Sequence, residues 1–168
     1  MKKNIKVNAA ILIIGNEILS GRTQDTNTST LATWLNSIGV KVGEVRVIPD
    51  DEKIIIDMVN LLRKNYDYIF TTGGIGPTHD DITAESISKA FGLNYEIHKE
   101  AFKILEDYYK PGEFNEGRQK MTMMPSNANL ILNPTSGAPG FNVENVFCLP
   151  GVPSIMKSML GGLKHKII

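Results

Sequence analysis

The chain has 168 residues, 42% of them hydrophobic, and its 18 basic and 18 acidic side chains leave no formal net charge. This balance argues against an electrostatic nucleic-acid partner, and no apolar run reaches the ~18 residues that a membrane span needs. Its single cysteine excludes an intramolecular disulfide and is typical of a reducing compartment. We therefore expect a cytoplasmic protein without membrane association, folded as one domain over residues 1–168.

The first half of the chain alternates apolar runs with amphipathic segments three times. The runs at 7–14, 40–48 and 66–72 have the composition of strands. The segments at 25–39, 51–62 and 82–91 place apolar residues at helical spacing. Such alternation predicts an α/β fold with a parallel sheet wrapped by helices.

The second half is less regular. A short helix containing Phe102 and Leu105 is expected to end at 111–112, and the Met-rich segment 113–124 suits a helix or a mobile flap. Strands are predicted at 130–132 and 143–149, followed by a final helix at 154–163.

The loop after the third predicted strand carries the strongest functional signal. Gly73, Gly74 and Gly76 allow backbone N–H groups to approach a ligand closely, and the following helix directs its positive end at the same place. Asp80 and Asp81 in the same loop would repel a bare phosphate. The combination suggests a phosphorylated ligand whose charge is balanced by a metal ion or by neighbouring donors.

Two other loops are expected beside the glycine loop. The carboxyl ends of parallel strands meet at one edge of a sheet, and ligands of such sheets bind there. The breaks at Gly15 and at Pro49-Asp50 each follow a predicted strand. The sequence therefore predicts a site built from three loops.

Several motifs, taken together and in order, resemble the molybdopterin-binding family typified by MoaB and MogA, and most closely the amino-terminal domain of CinA proteins. The resemblance covers almost the whole chain and implies a three-layer α/β/α sandwich with a mostly parallel sheet. It also implies a site for molybdopterin or a nucleotide at the glycine loop. The motifs are Gly15-Asn16-Glu17-Ile18-Leu19-Ser20-Gly21, Asp25-Thr26-Asn27, Pro49-Asp50, residues 72–78 with Asp80-Asp81, Ala138-Pro139-Gly140 and residues 149–153.

The resemblance also assigns site residues. The paired acidic positions of the family correspond to Asp50 and Asp81, and we predict catalytic roles for these two and for Asp80. Asp80 and Asp81 are the predicted ligands of a divalent metal, Mg, Mn or Co, because paired carboxylates suit such ions. The predicted ligand-binding residues are Gly15, Asn16, Glu17, Gly21, Asn27, Gly73, Gly74, Gly76, Pro77, Thr78, Thr83, Pro139, Gly140, Pro150 and Gly151.

Three functions stay open at this stage. Ile75 and His79-Asp80 stand where the MogA branch usually has Thr and Arg, which favours metal-dependent cleavage of the pyrophosphate bond of ADP-ribose, as in the CinA branch. The alternatives are molybdopterin binding or adenylylation in molybdenum cofactor synthesis, and a non-catalytic ligand-binding or assembly module. The resemblance further implies a homo-oligomer: a dimer, trimer or hexamer.

Each site residue also has a purely structural interpretation. The glycines suit a tight strand-to-helix turn, and Asp80 or Asp81 suits an N-cap of the helix that follows. Asp50 suits the same role at the helix that begins near residue 51.

Overall fold

The computed structural model describes residues 6–167, which form a six-stranded sheet flanked by helices and a separate two-stranded sheet. The strands are β1 (Val7–Ile14), β2 (Val40–Ile48), β3 (Tyr68–Thr72), β4 (Tyr95–Ile97), β5 (Met123–Pro125), β6 (Asn129–Ile131), β7 (Gly140–Val143) and β8 (Val146–Leu149). The helices are α1 (Asn16–Leu19), α2 (Asn27–Ser37), α3 (Glu52–Asn65), α4 (Thr83–Phe91), α5 (Lys99–Tyr108), α6 (Glu116–Lys120), α7 (Pro153–Leu160) and α8 (Lys164–Ile167). In this range, no helix has the length and apolar character required to cross a bilayer.

The six-stranded sheet is mostly parallel, as predicted. Its strand order is β2-β1-β3-β8-β7-β6. β1 runs parallel to β2 and β3, and β3 runs parallel to β8, whereas β7 and β6 join one side as antiparallel strands. From Ala9 to Ile14 every residue of β1 is buried, as expected for a near-continuous apolar strand that is covered on both faces.

The helices form two layers because alternate residues of β1 pack on opposite faces of the sheet. Leu12 and Ile14 belong to a core shared with α3 and α4. Ile11 and Ile13 belong to a second core shared with α2 and α7. The two cores confirm the three-layer α/β/α arrangement.

The prediction of one strand at 143–149 was wrong. Two strands, β7 and β8, occupy this region as a hairpin in which Val143 pairs with Val146. The two residues between them form the turn, and Glu144 adopts a left-handed backbone with φ of 49°. The polar pair at 144–145 fits a two-residue hairpin loop, but the apolar residues on either side gave the region the composition of one strand.

The segment 113–124 contains a helix, one of the two alternatives left open by the sequence. Its middle forms α6, and its end begins β5, which pairs with β4 in the two-stranded sheet. This small sheet was not predicted, because each of its strands has three residues and their pairing joins distant parts of the chain.

Candidate functional site

The three predicted loops meet at the carboxyl edge of the sheet, and a fourth loop joins them. The Gly15 N–H donates to the Ile48 carbonyl at 3.0 Å, which ties the loop after β1 to the end of β2. The Gly73 N–H donates to the Leu149 carbonyl at 3.0 Å, which ties the glycine loop to the end of β8. The edge therefore also includes the loop at Pro150 and Gly151, because β8 is parallel to β3.

The glycine loop needs its first two glycines for steric reasons. Gly73 and Gly74 have φ of 98° and 73°, a left-handed conformation that side chains rarely adopt. A Cβ at Gly73 would overlap the Ile14 carbonyl oxygen, and one at Gly74 would overlap the Thr83 hydroxyl. The loop is thus pressed against the end of β1 and the start of α4.

Thr83, the first residue of α4, holds the glycine loop through two hydrogen bonds. Its side chain is fully buried, its hydroxyl donates to the Gly73 carbonyl at 3.0 Å, and its N–H donates to the Gly74 carbonyl at 2.9 Å. Thr83 thus holds the glycine loop in place, and its predicted ligand-binding role stays a prediction.

Replacing Thr83 with Val is expected to cost about 1–2 kcal/mol of unfolding free energy, because the Gly73 carbonyl loses a buried donor while the side-chain volume is kept. Urea denaturation measures this loss. Thr30→Val is the matched control, since its hydroxyl donates only to the Thr26 carbonyl within its own helix. Equal losses in the two variants would contradict the supporting role.

Neither loop aspartate caps α4. The N-cap residue of this helix is Ile82, and no side chain caps it. Instead, one oxygen of Asp81 accepts from the N–H and the hydroxyl of Thr78, both at 2.9 Å. Asp80 is exposed and contacts the His79 ring at 3.3 Å. The N-cap interpretation of Asp80 and Asp81 is wrong.

Asp50 does not cap α3 either, because the adjacent Asp51 accepts the Ile54 N–H at 3.0 Å. The carboxylate of Asp50 accepts the Asn16 N–H at 3.1 Å, and the Asn16 side-chain oxygen accepts the Asp50 N–H at 3.1 Å. This reciprocal pair joins the loops after β1 and β2. It leaves the second carboxylate oxygen of Asp50 without a protein donor among the described residues.

The pKa of Asp50 is raised above its ordinary value. The first cause is burial, which removes water from the charged form, and the carboxylates of Glu17, Asp81 and Asp80 add repulsion in the same direction. The hydrogen bond from the Asn16 backbone opposes them. Negative charge is therefore concentrated beside the glycine loop.

Two cavities border the glycine loop. The first, which we call the carboxylate compartment, has a volume of about 310 Å³ and is lined by Ile14, Asn16, Glu17, Arg22, Asp50, Gly74, Thr78, Asp80 and Asp81. The second, which we call the proline compartment, has a volume of about 520 Å³. Its lining is Glu17, Thr23, Gly73, Gly74, Ile75, Gly76, Pro77, Asp81, Met121, Asn133, Ser136, Ala138, Pro139, Pro150, Gly151, Val152, Pro153 and Ile155. Glu17, Gly74 and Asp81 line both.

Five predicted ligand-binding residues line neither compartment. Gly15 and Gly21 flank α1, Thr83 lies beneath the loop, and Gly140 lies in β7 against the Cys148 carbonyl. Asn27 is buried and donates to the Gly151 carbonyl at 2.9 Å, while its side-chain oxygen has no hydrogen-bond partner in the described part of the chain. These five residues lie near the loops of the sheet edge without lining either compartment.

The sequence interpretation missed Arg22, the one basic residue that lines the carboxylate compartment among those described. Its position next to Gly21, in the loop that follows β1, was the available signal. Lys120 was also missed. Its ammonium donates to the carbonyls of Thr78 and Asp81, although more than 35 residues separate them along the chain.

The predicted metal ligands lie beside the loop but do not form a complete metal-binding set. Within 6–167, no group of three or more His, Cys, Asp or Glu side chains is arranged to hold a metal ion. Any metal bound here would need oxygen ligands from elsewhere, such as the phosphates of a bound ligand.

The fold and the loop define an α/β sandwich domain with a glycine-rich loop at the carboxyl edge of its parallel strands. The chain belongs to the molybdopterin-binding domain family: a family model described as "Probable molybdopterin binding domain" matches residues 10–168. The resemblance seen in the sequence is thereby confirmed.

Solved structures agree with this assignment. CinA of Thermoplasma acidophilum superimposes with a TM-score of 0.90 at 33% identity, over 96% of this chain and 98% of that one. MoaB of Thermus thermophilus superimposes with a TM-score of 0.64 at 21% identity, over 94% of this chain and 89% of that one, and supports the fold alone.

Curated relatives are longer than this chain. A protein of Archaeoglobus fulgidus is 40% identical over 148 residues, which are 88% of this chain and 63% of the relative. A protein of Pyrobaculum calidifontis is 38% identical, over 95% of this chain and 63% of the relative. The chain thus spans less than two thirds of the length of these relatives.

Proposed function

We propose that this domain binds a phosphorylated small molecule of the nucleotide or molybdopterin type and cleaves the pyrophosphate bond of an ADP-ribose-type nucleotide with a divalent metal. The observation that carries the proposal is the pair of compartments that border one glycine loop and share Glu17, Gly74 and Asp81. One is rich in carboxylates, and the other is lined largely by prolines and apolar residues. A diphosphate flanked by an organic group matches this division.

The loop offers donors to a phosphate. Gly74, Ile75 and Gly76 are half-buried, and their N–H groups donate to no acceptor in the described part of the chain. Half-buried backbone donors without a protein acceptor are open to water or to a ligand, and a phosphate oxygen is a strong acceptor. These amides are the proposed phosphate contacts.

The carboxylate compartment has donor chemistry that fits a hard divalent cation. Asp50 and Asp81 each keep one carboxylate oxygen that accepts no hydrogen bond from residues 6–167, and Glu17 keeps both. Mg²⁺ commonly binds through one or two carboxylates together with substrate phosphates. When bound, such an ion would neutralise phosphate charge and lower the pKa of an attacking water.

The protein residues would then have distinct roles. Asp50 and Asp81, from two different loops of the sheet edge, would hold the cation beside the glycine loop. Asp80 is exposed and adds negative charge at the entrance. Arg22 lines the same compartment and is placed to contact a phosphate oxygen that the cation leaves free.

The test is AMP release from ADP-ribose in the presence of Mg²⁺, Mn²⁺ or Co²⁺, with EDTA as the metal-free control. We expect turnover that requires the metal and is lost in Asp81→Asn. No AMP with any of the three ions would refute the catalytic part of the proposal. Calorimetric titration with AMP and ADP-ribose tests the binding part separately.

The family description and the proline compartment support a second candidate, molybdopterin binding or adenylylation. Calorimetric titration with molybdopterin distinguishes it from the first, since a nucleotide hydrolase is expected to prefer ADP-ribose. A non-catalytic module is distinguished by Asp81→Asn, which would then retain both its ligand affinity and any residual turnover.

A further inference from the structure

The helix α6 packs against the segment of the glycine loop at 77–81. Gly117 comes so close to the loop that a Cβ there would lie 3.1 Å from the Pro77 carbonyl oxygen. Three residues later, the ammonium of Lys120 donates to the carbonyl oxygens of Thr78 and Asp81. One short helix therefore contacts the segment 77–81 at three carbonyl groups.

The helix is itself held in place, so Lys120 extends from a fixed element. The Phe114 ring packs on Phe102 and Tyr109, with centroid distances of 5.0 and 6.2 Å. The Arg118 guanidinium lies 4.2 Å from the Tyr109 ring centroid, and the Asn115 side chain caps the helix. These contacts anchor α6 to α5.

Lys120 binds the same two residues that form the internal turn of the loop. The Asp81 N–H donates to the Thr78 carbonyl at 3.2 Å, and Thr78 returns two hydrogen bonds to the Asp81 carboxylate. Without the ammonium, the Asp81 carbonyl has no donor in the described part of the chain. The turn then relies on the hydrogen bonds between Thr78 and Asp81 alone.

We propose that Lys120 is a positioning residue that fixes the turn of the glycine loop and thereby the orientation of the Asp81 carboxylate. Its positive charge also lies against the loop carbonyls of Thr78 and Asp81, where it partly offsets the carboxylates that line the carboxylate compartment. The consequence for ligand binding rests on the proposed function. The ordering of the loop does not.

The first experiment needs no ligand. Single-amide hydrogen exchange at Thr78 and Asp81 is compared between wild type, Lys120→Met and Lys120→Arg. We expect exchange about tenfold faster in Lys120→Met, because charge-assisted hydrogen bonds to the turn are lost, and near-wild-type exchange in Lys120→Arg, which keeps the charge and several donors. Unchanged exchange in Lys120→Met overturns the proposal.

Lys103→Met is the matched control, since among the described residues this exposed lysine of α5 forms an ion pair with Asp107 alone, at 3.4 Å. It is expected to leave the exchange of both amides unchanged. Loop amides that exchange equally fast in Lys103→Met and Lys120→Met would show a general charge effect and also overturn the proposal.

The second experiment is calorimetric titration with ADP-ribose and Mn²⁺. We expect affinity to fall about tenfold in Lys120→Met, to recover in Lys120→Arg and to stay constant in Lys103→Met, while thermal unfolding is similar in all three. Unchanged affinity in Lys120→Met overturns the ligand consequence. Wild type that binds no ADP-ribose refutes the proposed function instead, and the exchange result still decides the role of Lys120 in the loop.

Discussion

Gly73→Ala is expected to lower the free energy of unfolding by about 2–5 kcal/mol. Part of the loss, about 1–2 kcal/mol, arises because Gly73 has φ of 98°, where a Cβ is strained. The rest, about 1–3 kcal/mol, arises because the new methyl group would overlap the Ile14 carbonyl oxygen at the end of β1. Urea denaturation with an unchanged slope measures the loss.

Gly39→Ala is the control that separates these two causes. Gly39 also has a left-handed backbone, with φ of 85°, but apart from its chain neighbours no atom of residues 6–167 lies within 4 Å of a Cβ placed there. It should therefore lose only the part that comes from backbone strain. If both variants lose the same free energy, the close approach of the glycine loop to β1 has no energetic consequence.

Much of the architecture could be predicted because it depends on local pattern. The buried strand β1 is a continuous apolar run, and the helices that follow repeat their apolar residues at helical spacing. Because parallel strands end at the same edge of a sheet, the meeting of the three loops there could also be predicted. The hairpin of β7 and β8 was not predicted because its turn, Glu144 and Asn145, is only two residues long. The rest of the stretch has the apolar composition of a single strand.

The candidate site was predictable to the level of its loops, but not to the level of its hydrogen bonds. Asp50 and Asp51 are adjacent, and only the structure shows that Asp51 caps α3 while Asp50 faces the compartment. The contact of Lys120 with the glycine loop depends on how α5 and α6 pack, which no local pattern encodes. These hydrogen bonds depend on tertiary packing.

The carboxylates that line the carboxylate compartment carry an energetic cost. Burial and three neighbouring carboxylates raise the pKa of Asp50, so the folded state holds its negative charge less well than the unfolded chain does. Active sites often contain such unfavourable pairs, since the arrangement that serves the ligand is not the one that best stabilises the fold. Substitution of Asp50 therefore tests the proposed function directly, because turnover and stability are expected to change in opposite directions.

If the proposed function holds, Asp50→Asn is expected to reduce metal-dependent AMP release by about 10²–10³-fold, because one proposed, negatively charged metal ligand is lost. The same variant should be slightly more stable than wild type at pH 7. A raised pKa in the folded state means that stability is lost as pH rises through the window above the ordinary value of 3.8. Asn removes that loss and retains an oxygen that can accept the Asn16 N–H.

The stability gain should therefore depend on pH in a defined direction. Thermal unfolding of wild type and Asp50→Asn is compared from pH 7 downward, and the difference should vanish below the ordinary pKa of Asp, where Asp50 is protonated in both states. Asp51→Asn is the matched control: it removes the adjacent charge, keeps an N-cap at α3 and should leave turnover unchanged. An Asp50→Asn variant that is less stable than wild type at pH 7 would show that the charge of this carboxylate stabilises the fold. A fully active variant would show that the proposed cation site does not include Asp50.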